Sequence, residues 1–119
     1  MGKSRFEFAG KAFLAEANRE LDTAKEGLNV AAKKTDGREI IFAAQHVLYR
    51  FGSAIGCMKQ LNIDVQEYHD QFESLFNQTC KNPNAALETL RQMINKASET
   101  LSVFALKKEV LTENTIVYN

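Results

Sequence analysis

The sequence predicts an all-α protein: a single-domain antiparallel four-helix bundle with short connections and a short C-terminal tail. Three observations carry that prediction. Apolar residues recur at alternating steps of three and four in four separate segments, the period of one buried helix face. The breaks between segments are short and hold helix-start and helix-stop residues, which joins neighbours antiparallel. The chain of 119 residues has one proline and no Gly/Ser-rich linker, so one core is expected.

The first helix is expected over about residues 5–34. Leu14, Ala17, Leu21, Ala24, Leu28 and Ala31 share one face, and the small residues alternating with leucine there allow a second helix to come close. Glu16, Arg19, Glu20, Asp22, Lys25 and Glu26 fill the opposite, solvated side. "TDGRE" then ends this helix at Gly37 and starts the next, with Asp36 and Glu39 spaced as an acidic capping box.

The second helix, about 38–61, carries Ile41, Ala44, Leu48, Phe51, Ile55 and Met58, flanked by Ile40, Val47, Ala54, Cys57 and Leu61. So wide an apolar face predicts the central helix of the bundle. It also leaves apolar surface that a second copy, in a homodimer, would cover.

The third helix, about 65–80, is expected to be capped by Asp64, with Glu67 closing the box and Ile63 stapled onto Tyr68. Its stripe is Val65, Tyr68, Phe72, Leu75 and Phe76. "CKNPNAA" stops it, and Asn82-Pro83 opens the fourth helix, about 83–108, because proline at a first helical position sacrifices no hydrogen bond. Leu87, Leu90, Ile94, Ala97, Leu101 and Phe104 form the fourth stripe, with Lys107 and Lys108 placed near the negative end of the helix dipole. The bundle is expected over 1–111 and a tail over 112–119, "TENTIVYN" having β-branched character without a partner strand.

Composition narrows the function. Fifteen basic and fifteen acidic residues cancel, which removes the net attraction behind most nucleic-acid and anionic-membrane binding. Lys33, Lys34 and Arg38 are a small basic cluster at a helix junction and read as a solvated loop. No apolar run approaches the roughly 20 residues of a membrane span, and the first residues lack a secretory pattern, so a cytoplasmic protein is the expectation. Phe6 stands where a myristoylation signal needs Ser or Thr. Cys57 and Cys80 lack metal or redox spacing and read as reduced core thiols. His69 and Glu73 are one helical turn apart without further ligands of a metal-binding pattern, and phosphate-cradling loops, dinucleotide fingerprints and nucleophile elbows do not occur, so neither metal nor cofactor is expected.

One stretch stands out. "FAAQHVLYRFGSAIGCM" places His46 in an apolar helix and follows it with Gly52 and Gly56, each unfavourable there by about 1 kcal/mol relative to alanine. Phe42, His46, Tyr49, Ser53, Gly56 and Gln60 fall on a side of the helix away from the main stripe, and the glycines there allow close approach of another chain. The expected function is therefore a non-enzymatic protein-interaction module: an adaptor, an accessory subunit, or an inhibitor or immunity-type protein. Its binding surface is expected to hold His46, Tyr49, Arg50, Ser53 and Gly56, since tyrosine and arginine are enriched at binding hot spots.

Residues 36–57 also resemble the phosphorylated helix of histidine phosphotransfer domains, on the histidine itself, Leu48, Ile55 and Gly56, and "FLAEANRELDTAKEGL" resembles the helix packed beside it. That resemblance implies a four-helix bundle with His46 as phosphate carrier in a phosphorelay. The family's lysine and glycine at three and four residues past the histidine are here Tyr49 and Arg50. A third reading, an RNA-processing bundle of the HEPN type, would pair Arg38 with His46, although seven residues separate them where that pattern needs a shorter spacing.

Overall fold

A computed structural model describes the backbone of residues 2–117 and the side chains of residues 10–108. It contains four helices, α1 (Gly2–Ala32), α2 (Gly37–Gln60), α3 (Gln66–Lys81) and α4 (Pro83–Val117), with no strand among the described residues. Consecutive helices pack on one another, α4 closes back onto α1, and α2 touches α4 across the centre, while α1 and α3 do not meet. The result is a four-helix bundle whose most extensive contact is α1 on α2.

The α1 stripe forms as its spacing demands: Ala17, Leu21, Ala24, Leu28 and Ala31 are buried, with Leu14 partly covered at the end. Gly27 lies so near α2 that a Cβ there would stand 2.8 Å from Cγ2 of Val47, so the two helices come together at a point where only a hydrogen atom fits. Ala44, Val47, Leu48, Phe51, Ala54, Ile55 and Met58 of α2 are buried, which makes it the central helix that its wide stripe predicts. Phe51 meets Tyr68 of α3 edge to face, with ring centroids 5.5 Å apart and planes at 89°.

The helix ends follow from local chemistry. Asp36 caps α2 by accepting hydrogen bonds from the backbone N–H groups of Arg38 and Glu39. At the other end Asn62 takes the left-handed conformation, φ 62°. The N–H of Asn62 donates to Lys59 O and that of Ile63 to Met58 O, the two bonds of a Schellman motif. Asp64 accepts from the Gln66 N–H, but the helix begins at Gln66 and Val65 occupies the cap position, one residue later than expected. Pro83 is the first residue of α4, and Asn82 accepts from the Ala85 N–H.

Several expectations are corrected. The segment from Thr112 to Val117 continues α4 and is not a separate tail, because no glycine or proline follows Pro83 to stop the helix; Tyr118 and Asn119 lie outside the described residues. In α3 the buried residue past Leu75 is Thr79, not Phe76, which is 51% exposed. Thr79 keeps the three-four step, and its hydroxyl is satisfied by donating to Phe76 O at 2.6 Å, so its burial leaves no orphan. Glu20, expected in solvent, is 8% exposed. It sits at the edge of the α1 stripe, beside Leu21, and faces Arg50 of α2. Both cysteines are free, and Cys57 is half-buried against the core, but Cys80 is exposed and not a core residue. Cys80 follows the buried Thr79 and so turns outward, where the Gln45 side-chain amide reaches its sulfur at 3.5 Å.

At 31 and 35 residues, α1 and α4 outrun α2 and α3, and the molecule measures 59 × 26 × 21 Å. No helix among the described residues is long and apolar enough to cross a membrane.

Candidate functional site

Helical phase sorts the residues of α2 into three sets. The main stripe points into the bundle. On one flank, Val47 and His46 run beside α1 at Gly27, and on the other Gly52 abuts α3, where a Cβ would stand 2.5 Å from the tip of the Phe72 ring. Between those flanks rises the outer face of α2, with Phe42 70% exposed and Tyr49 68% exposed. Gly56 continues the same line and is exposed, and a Cβ built on it meets nothing within 4 Å. Ser53 is partly covered and His46 exposed.

Of the five residues expected to form a binding surface, His46, Tyr49, Ser53 and Gly56 are therefore brought to the outer side of α2. Arg50 is not. Its Nη1 lies 3.5 Å from Oε2 of Glu20, and its Nε is buried without a hydrogen-bond partner, so the guanidinium serves the α1–α2 seam. Phe42 belongs to the surface but was not expected among its binding residues. The available signal was its size, since it is the largest apolar side chain on that side of the helix.

A shallow groove of about 500 Å³ runs beside this face between α1 and α2. Thr23, Glu26 and Val30 of α1 form one wall, Phe42, Ala43 and His46 of α2 the other, and Lys34 and Glu39 stand at its mouth. Val30 is itself 51% exposed, so apolar surface continues from α2 onto α1. An open groove with apolar walls and a polar rim suits a side chain of a docking protein better than an enclosed small molecule.

The seam also bears on reactivity. Burial, followed by the nearby carboxylates of Glu16 and Glu20, pushes the Cys57 thiol above its ordinary pKa of 9.0, which keeps it protonated at neutral pH and unsuited to nucleophilic work. Arg19, bonded to Glu16, holds that carboxyl below its ordinary value of 4.5. His69 and Glu73 are both exposed on α3, and among the described residues no group of three metal-ligating side chains converges. Arg38 and His46 stand about 12 Å apart along the axis of α2, at 1.5 Å per residue, so the fold does not bring that pair to one point.

No family model matches the chain, and no significant match is found among curated proteins or solved structures.

Proposed function

We propose that this chain is a non-enzymatic protein-interaction module that binds through the outer face of α2. The observation that carries this reading is the exposure of Phe42 and Tyr49, 70% and 68%, on a helix whose other large apolar side chains are buried or partly buried. Two aromatic rings held in water on a rigid helix gain more from a partner than scattered surface residues do. The neighbouring groove supplies a recess with His46 in its wall, and Ser53 supplies a further polar group on the same side of α2.

The test replaces Phe42 and Tyr49 by alanine together, which touches no buried side chain. Helicity and melting are expected to stay near wild type. Recovery of the stoichiometric partner, or of the self-associated form, is expected to fall at least tenfold. Undiminished recovery with intact folding would place the binding surface elsewhere.

A phosphorelay reading has one observation in its favour. His46 is exposed on a four-helix bundle, and Arg50, which occupies the family's glycine position, is paired with Glu20 of α1. Incubation with a phosphorylated receiver domain tests it. Phosphoryl transfer to wild type that is lost in His46→Gln would support the reading, and absence of transfer would remove it.

A further inference from the structure

The outer face of α2 has a spacing that makes it complementary to itself. Phe42, Tyr49 and Gly56 are seven residues apart, so they lie along nearly one line of the helix, and Phe42 and Gly56 are equally distant from Tyr49. One end of the line carries an exposed ring and the other an exposed glycine with no side chain. We propose that a second copy of this chain docks here, with α2 antiparallel to α2 about a twofold axis at Tyr49. This proposal rests on the reading of the face as a binding surface.

An isologous interface requires that if residue i meets residue j of the partner, j also meets i. An axis at Tyr49 meets that requirement with the residues present: Phe42 of each copy falls on Gly56 of the other, and the two Tyr49 rings meet at the centre. The space over Gly56 is free to receive a ring, because a Cβ there would touch nothing within 4 Å. The contrast with Gly52 is informative. That glycine is filled within the chain by Phe72, whereas Gly56 has no such neighbour.

The same register treats the polar residues well. His46 and Ser53 lie on one flank of the line, three residues before Tyr49 and four after it. Reversal of the second helix brings His46 opposite Ser53 of the second copy, about 1.5 Å off level. Arg50, adjacent to the axis in sequence, is paired with Glu20 and lies toward α1, so two uncompensated cations do not face each other.

The contact is a single helix pair, so solution mass is measured by sedimentation up to about 500 μM, where even a weak dimer is populated. Wild type is expected to approach twice the 13.4 kDa of the chain. Gly56→Leu puts a side chain where the partner's ring would lie, and Phe42→Ala removes the ring; each is expected to stay monomeric at the same concentration, with a melting temperature in dilute solution no lower than that of wild type. For the register, Tyr49→Cys and Gln60→Cys are compared with Cys57 and Cys80 both replaced by serine. Mild oxidation is expected to link Tyr49→Cys into a dimer. It is expected not to link Gln60→Cys, whose two copies would lie about 33 Å apart.

A wild type that stays monomeric, a dimer indifferent to Gly56→Leu and Phe42→Ala, or linkage through Gln60→Cys would each overturn the proposal. Parallel capture from source lysate separates this failure from that of the wider reading. A monomer that still captures another protein, in a manner dependent on Phe42, overturns the dimer and leaves the surface standing. A monomer without such capture overturns both.

Discussion

Gly52 and Gly56 are four residues apart on one helix, yet their surroundings are opposite. A methyl group on Gly52 would collide with Phe72, and one on Gly56 would stand in open space. Gly52→Ala therefore combines overpacking of about 1–3 kcal/mol with a helix-propensity gain of about 1 kcal/mol, and a net loss of about 1 kcal/mol is expected. Gly56→Ala keeps only the gain, so it is expected to stabilise by up to about 1 kcal/mol; urea denaturation of dilute protein measures both. Glu20 and Arg50 make a second residue-scale case. Arg50→Ala leaves a carboxylate that is 8% exposed without its partner, and a loss of about 1–2 kcal/mol is expected, moderated because Arg50 itself is partly in water. A double-mutant cycle with Glu20→Ala checks this, the double change costing less than the sum of the single ones. Tyr68 adds a pH dependence. Burial raises its phenol above the ordinary 10.0, so the unfolded chain ionises first and stability falls as pH climbs past about 10. Alkaline denaturation of wild type beside Tyr68→Phe reads it, the variant losing less stability over that range.

Individual helices were largely legible in the sequence, because a three-four step names the buried face of a helix whatever it packs against. The α1 and α4 stripes, the Asp36 cap and the Pro83 start all follow from local chemistry. What escaped the sequence depends on neighbours. A wheel cannot tell that α3 packs through Thr79 and leaves Phe76 in water, since hydrophobicity favours the reverse and only the phase set by α2 and α4 decides it. Nor does it identify Glu20 as buried, because the edge of an apolar stripe becomes interior only when the next helix lies over it. The Schellman turn at Asn62 was likewise hidden in "QLNID", where asparagine stands in for the more usual glycine. Asn62→Gly is expected to stabilise by about 0.5–1 kcal/mol by relieving the left-handed strain, and Asp36→Ala to destabilise by about 1 kcal/mol. Thermal melts of the two variants should move in opposite directions.

At the scale of the molecule, packing distributes exposed apolar surface unevenly. Phe42, Tyr49 and Val30 lie toward the α1–α2 side, Phe76 stands on α3, Phe13 on α1, and Val103 and Leu106 on α4. The outer face of α2 was legible as a surface from helical phase alone, and Gly56 and Tyr49 were placed on it correctly. The pairing of Arg50 across to α1 was not, because it requires Glu20, thirty residues away in the chain. On the proposed reading this one face, rather than the others, is where the molecule binds. Amide NMR spectra of the labelled chain over a concentration series, and then with any captured partner, test it most directly. Shifts are expected to concentrate at Phe42, His46, Tyr49, Ser53 and Gly56, with residues around Phe76 and Val103 unmoved. Shifts centred on Phe76 or Val103, with the α2 face silent, would contradict it.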